Sequence, residues 1–495
     1  MENEEYEFNL IQPGEIEGCN IGGILAVPKK ITTEKMMVIM QEEKYNHSIK
    51  DDKTGENKTI KTFTEAADKI INRENIAEVS KQLGLNGQVV LLPMLPNADL
   101  IKAEGKSMGN FGAEFLSKEC FTNIPENSKF YRLDDQLEKM IAHTTQKYML
   151  NEKVNGFGHS TSGLSMMRFA MIRPDLIDTL IVGGNADEIP TPVGENANKI
   201  GYPFGIKDFK QLFGKEFNNK DFCKIAFRYY VGEYEYVDPN LDGIRTENYG
   251  IKRNGNLGSG RNFAPEEAAE VYKGIYNGQY REDEELSVFE RLKNVLKEYE
   301  AEGLDMRFLI YEKDCHSMIS AEDLANAQFE SGSKFSSKAS EMVGKVFNKA
   351  EEIKGFVEEN QDSKEIQEYI AISDKIKANK QNGDVEKRVE CLKKVDEEYT
   401  KNKVDRNVES YKQTLQNMGL TNNATETLAQ LRNKNLRESN LTPKMELYFN
   451  ENLAFYNLAS KAVPEAKTEV KQEVDRVSSQ QIRREKEEQV EFKRE

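Results

Sequence analysis

The sequence predicts an α/β protein with a mostly parallel sheet flanked by helices, followed by an all-α region, and three observations carry that reading. From about residue 20 to 330, short apolar β-branched runs alternate with longer helical patterns, as crossover helices between parallel strands require. Inside that stretch, a turn of small residues, Asn155-Gly156-Phe157-Gly158-His159-Ser160-Thr161-Ser162-Gly163, separates a strand-like run from a helical one. After about residue 335, glycine and proline become rare, Lys, Glu, Asn and Gln dominate, and strand-like runs disappear.

The elements follow in order. Strands are predicted at Gly23 to Pro28 and Met36 to Met40, then a helix containing Ala66 to Leu83, a strand at Gln88 to Pro93 and a helix from about Asp134 to Lys147. The run Tyr148 to Val154 reads as the strand before the small-residue turn. From Leu164, apolar residues recur at helical spacing until Pro174 stops them. Further strands are expected at Thr179 to Val182, Phe227 to Val231 and Met306 to Tyr311. A stretch rich in Gly, Pro and Phe, about 186–223, falls between two strands and is expected to cap the sheet edge. Phe204, Phe213 and Phe222 within it would line an acyl or aryl pocket or form the cap's own small core. The predicted division is an α/β domain over 1–334 and a helical, charge-rich region over 335–495. In the latter, Thr442-Pro443 has the pattern of an N-cap with proline at the first helical position. Leu447, Leu453, Tyr456 and Leu458 follow as a partial apolar stripe, and Gly383 and Gly419 to Asn423 are natural breaks. No heptad persists, so a small bundle is expected rather than a long coiled coil. The last segment, Glu465 to Glu495, mixes both charges and reads as an exposed helix or frayed tail.

Composition narrows the function classes. A chain of 495 residues exceeds what one core usually supports. The formal net charge of -16 argues against nucleic-acid or anionic-membrane surfaces, which need basic patches. Cys19, Cys120, Cys223, Cys315 and Cys391 are widely spaced and odd in number, so neither a disulfide framework nor a zinc knuckle is expected. An acidic N-terminus without an apolar core, and no run approaching 18 apolar residues, point to a cytoplasmic protein with no membrane span.

The chemistry centres on Ser160. A serine on a strand-to-helix turn is pushed outward at the carboxyl edge of the sheet, and the helix that follows offers backbone N–H groups to a developing oxyanion. Gly158 provides the small residue two before it; Ser162 stands two after it, where the common pattern has glycine. A serine hydroxyl needs a histidine to take its proton and a carboxylate to orient that histidine. Of four histidines, His316 lies just past a strand, where a loop can carry it over the sheet edge. His143 belongs to a helix, His47 to a polar loop, and the ring of His159 is expected to point away from its neighbour's hydroxyl. The acid comes from the turn after Tyr230: Glu235, or alternatively Asp238. Cys315 reads as a small semi-buried residue rather than a nucleophile.

These residues, with Val90 to Pro96, Tyr131 to Leu137, Gly201 to Gly205 with Lys207-Asp208, and Val231 to Glu235, carry a resemblance. The chain from about 30 to 320 resembles bacterial α/β-hydrolase superfamily serine esterases, including a group of hydrolases related to polyester depolymerases. The resemblance implies an α/β-hydrolase fold and an acyl-enzyme route in which Ser160 attacks and His316 relays the proton. It also implies a small-molecule ester or acyl substrate and no metal or organic cofactor. Two departures stand out. Glu235 occupies a place where such proteins often carry aspartate. Gln41-Glu42-Glu43-Lys44 follows Met40 where the first oxyanion loop usually reads His-Gly, so the Glu43 backbone N–H would donate alongside that of Thr161.

Two functions from different classes are therefore expected. One is a serine hydrolase cleaving a carboxylic ester or similar acyl bond through a Ser160, Glu235 and His316 triad. The other is a non-catalytic scaffold of the same fold whose helical C-terminal region binds a protein partner. That region, 335–495, would otherwise stabilise the enzyme or mediate self-association.

Overall fold

The computed structural model describes residues 6–41, 44–45, 48–50, 57–59, 62–96, 116–185, 189–195, 197–199, 201–235, 287–328, 334–379 and 382–417. Its central sheet contains β1 (Tyr6–Ile11), β2 (Gly22–Pro28), β3 (Met37–Ile39), β4 (Val90–Pro96), β5 (Val154–His159), β6 (Ile177–Gly183), β7 (Ala226–Gly232) and β8 (Met306–Tyr311). Their spatial order is β1-β2-β4-β3-β5-β6-β7-β8, and a two-residue strand, Lys44–Tyr45, adds to β4. β2 runs antiparallel to both its neighbours. All pairings from β4 to β8 are parallel. The inner strands are buried on both faces, which is why they read as continuous apolar runs rather than alternations.

Helices cover both faces. On one face lie α1 (Phe63–Ile71) and α2 (Glu74–Leu85) with the short helix Ala321–Asn326; Phe63, Ile70, Val79, Leu83 and Leu324 close on Ile24, Ile39, Leu92 and Phe157. On the other lie α3 (Leu133–Lys147), α4 (Thr161–Ile172) and α5 (Ser287–Ala301). Gly22 and Gly23 show the two faces at adjacent positions: a Cβ on the first would meet Phe63 of α1, and on the second Met140 of α3.

Three elements differ from expectation. The helix through Ala66 to Leu83 is two helices. The first is opened by a capping box between Thr62 and Glu65 and ended at Asn72, whose backbone and side chain both bond the Asp68 carbonyl. The strand expected at Tyr148 to Val154 instead runs Val154–His159, because α3 continues to Lys147 and Met149 turns the chain with φ 53°. Its glycines are packing devices: a Cβ on Gly156 would lie 2.5 Å from the Met166 side chain of α4. The break between helices expected at Gly383 comes slightly earlier: one helix ends at Asn379 and the next, which includes Gly383 in its first turn, begins at Asn382.

The C-terminal side is helical as far as it is described, with α6 (Ala339–Glu359), α7 (Lys364–Asn379) and α8 (Asn382–Asn417). The chain divides into two compact units, Met1–Gly355 with Glu368–Glu390, and Phe356–Gln367 with Cys391–Glu495. Within the second, the Phe356 and Tyr399 rings meet edge to face at 5.7 Å and Ser363 bonds Glu398 at 2.8 Å. Gly419 to Asn423, Thr442-Pro443 with its stripe, and the tail from Glu465 lie outside the described residues.

Candidate active site

Ser160 stands at the β5 to α4 turn with φ 54° and ψ −129°. A non-glycine residue in such a conformation stores about 1–3 kcal/mol and persists only where its surroundings hold it. Here they do. The Ser160 N–H donates to the Gly183 carbonyl at 2.8 Å, and its carbonyl accepts the first α4 bond from Leu164 at 3.2 Å. Gly158 leaves no room for a side chain, since a Cβ would come within 2.4 Å of the Ser162 carbonyl oxygen. Ser162 replaces the usual glycine with a tie: its hydroxyl donates to the His159 carbonyl at 2.7 Å and accepts the His159 N–H at 3.0 Å. Thr161 begins α4, so its N–H is one of the first-turn donors that a helix leaves without an intrahelical acceptor.

Glu235 and His316 arrive on loops after β7 and β8 that are laced together. The Glu233 N–H donates to the Tyr311 carbonyl at 3.0 Å and the Tyr234 N–H to the Asp314 carbonyl at 2.7 Å. The Lys313 N–H donates to the Glu233 carboxylate at 2.8 Å, which also pairs with Lys349 at 2.7 Å. Asp314 accepts from the Cys315 N–H and the Ser317 hydroxyl, each at 2.7 Å, and so shapes the turn that presents His316. Gly232 is where the loops touch: a Cβ there would lie 1.8 Å from the Cys315 carbonyl oxygen.

In this arrangement the Glu235 side chain is buried and accepts the Gly232 N–H at 3.0 Å. Its other oxygen faces His316 Nδ1 at 3.6 Å. His316 also borders the turn beneath the serine, for a Cβ on Gly184 would lie 2.9 Å from its Cε1, next to the Gly183 carbonyl that holds Ser160.

The His159 ring faces Tyr230 and His316. Its ring stacks near-parallel on Tyr230, with Nδ1 2.9 Å from the hydroxyl, and its centroid lies 4.7 Å from that of His316. Burial, and then the proximity of His316, push its pKa down to about 3, against a hydrogen bond to the His316 backbone that acts in the other direction. The one sequence signal for it is adjacency of a scarce residue to Ser160. His143 is exposed on α3. Met40 spends its N–H on the Phe157 carbonyl at 3.0 Å, and Gln41 is buried at the strand end. Glu43, Asp238 and His47 lie outside the described residues. Phe204, Phe213 and Phe222 are buried. Phe213 packs against Phe121, Tyr202 and Phe209, and Phe222 against Phe227 and Tyr299, which is the arrangement of a small core.

The strand order, the antiparallel second strand and a serine on the turn after β5 define an α/β-hydrolase fold. No family model matches the chain, and no curated protein matches it. Among solved structures it is similar to poly(aspartic acid) hydrolase-1 from Sphingomonas sp. KT-1, at 12% identity over 66% of this chain and 98% of that one, with a TM-score of 0.36. It is also similar to an S-formylglutathione hydrolase from Agrobacterium tumefaciens, at 10% identity over 66% and 95%, with a TM-score of 0.33. Among the described residues, no helix is long and apolar enough to cross a membrane.

Proposed function

We propose that this chain is a serine hydrolase that cleaves a carboxylic ester or similar acyl bond. The observation that carries the reading is the strained backbone of Ser160, φ 54° and ψ −129°, at a strand-to-helix turn. Strain of that kind is kept where it aims a side chain. Ser160 Oγ attacks the acyl carbon while His316 takes its proton, and the buried Glu235 carboxylate stabilises the imidazolium that forms. The tetrahedral oxyanion develops against the Thr161 N–H at the start of α4, where the helix dipole favours negative charge. His316 then returns the proton to the leaving group. Water, deprotonated by the same histidine, attacks the acyl-Ser160 ester and releases the acid.

The test is labelling by a fluorophosphonate, whose phosphorus accepts an activated serine and little else. Wild-type protein should become labelled on Ser160, and Ser160→Ala should not. Folded wild-type protein that resists labelling leaves the scaffold reading in its place.

A further inference from the structure

The chemistry above leaves His159 and Tyr230 unused, yet both lie against its proton carrier. The contact between His316 Nδ1 and Glu235, at 3.6 Å, is longer than a hydrogen bond. The His316 side chain is also 26% exposed, so the carboxylate alone does not define the ring's orientation. A second contact is present: the His159 ring at 4.7 Å, tilted by 42°. His159 is fixed on two sides, by the Ser162 hydroxyl on its backbone N–H and carbonyl and by the Tyr230 hydroxyl on Nδ1. Tyr230 is fully buried within β7, where its register pairs it with Gly183 on one side and Leu309 on the other.

We propose that His159, anchored by Tyr230, is a positioning residue that braces the His316 ring for proton exchange with Ser160. This deepens the hydrolase reading and rests on it. The groups facing the two rings include the Glu235 carboxylate on His316, and the Tyr230 phenol and the His316 backbone on His159. A neutral brace suits the task, because a second positive charge at His159 would oppose the imidazolium on His316. Without the brace the His316 ring relaxes relative to Glu235, and since the carboxylate is what favours its protonated form, its titration midpoint moves.

Three variants test this: His159→Ala, Tyr230→Phe, and His159→Gln, which restores an acceptor for the Tyr230 hydroxyl. Two quantities are read: the pH dependence of fluorophosphonate modification at Ser160, and the NMR titration of the His316 ring, assigned through His316→Gln. His159→Ala should slow modification by about tenfold or more and shift both midpoints by about half a pH unit or more. Tyr230→Phe should move them in the same direction by less, and His159→Gln should stay within about threefold of wild type. Slower modification with unmoved midpoints would mean packing alone and overturns the proposal. Should wild-type Ser160 resist labelling, the hydrolase reading fails by itself, and the brace is then decided by the NMR midpoint in Tyr230→Phe, where no shift overturns it. The same measurement decides if His159→Ala does not fold.

Discussion

The turn that carries Ser160 and the paired loops that carry Glu235 and His316 solve one problem in opposite ways. The serine turn is local: Gly158, Ser160 and Ser162 lie within five residues, and every contact that strains Ser160 into place comes from the β5, β6 and α4 termini. The proposed acid and base are assembled from a distance, by bonds between segments about 80 residues apart. Local strain holds a side chain rigidly because short chains have few ways to relax. A non-local clasp is only as rigid as the contacts that hold it, and here the loops come so close at Gly232 that a Cβ there would lie 1.8 Å from the Cys315 carbonyl oxygen.

The largest expected effect breaks the clasp chemically. Glu235→Gln keeps volume and the bond from Gly232 but removes the charge that stabilises imidazolium, and should lower kcat on the order of 10³-fold. Ester turnover measures it; a loss below about tenfold would pass the acid's role to Asp238. Next comes a steric break on each side. Gly232→Ala and Gly158→Ala each place a Cβ inside contact distance of backbone, 1.8 Å and 2.4 Å, and each should cost on the order of 3 kcal/mol in urea unfolding. A cost below about 1 kcal/mol for Gly232→Ala would show the two loops to be separable.

The same contrast explains what the sequence could disclose. Ser160 was legible because its signals sit beside it, as were β6 and β7, whose two-sided burial leaves largely apolar runs. The strand before the serine was misplaced because Gly156 and Gly158 look like turn residues, whereas they are glycines because Met166 and Ser162 come down onto the strand. β1 is not legible in the sequence: Tyr6, Phe8 and Leu10 alternate with Glu7 and Asn9 in an acidic N-terminus, a pattern too short to separate from loop without its partner β2. The choice between Glu235 and Asp238 was open for a related reason. The inward turn of Glu235 depends on bonds from Glu233 and Tyr234 to the loop after β8, far away in sequence, so no local pattern around that carboxylate encodes it.

The role of His159 can be sharpened by pH. Its folded pKa of about 3 lies below the usual value of 6.5, so between these values the unfolded chain binds more protons than the folded one. Stability from this group is therefore full above about pH 6.5 and is lost as pH falls toward 3, by up to about 1.4 kcal/mol per unit. His159→Gln should unfold with a shallower dependence than wild type between pH 4 and 6.5, as read by urea midpoints at about half-unit steps. Parallel curves would place His159 in water rather than against His316.

The smallest effect tests whether the serine turn is as local as described. Ser162→Ala deletes one hydroxyl and with it both bonds to His159, leaving a backbone donor and acceptor to find other partners, which costs about 1–2 kcal/mol. Gly158, Gly183 and Leu164 still hold Ser160 in that variant, so fluorophosphonate modification should slow by no more than about threefold. Ser162→Gly should behave alike, because the position needs a small residue first and a hydroxyl second. A much larger loss of labelling with little loss of stability would mean that Ser162 acts through His159 on His316, and the serine turn and the distant clasp would then be one mechanical unit rather than two.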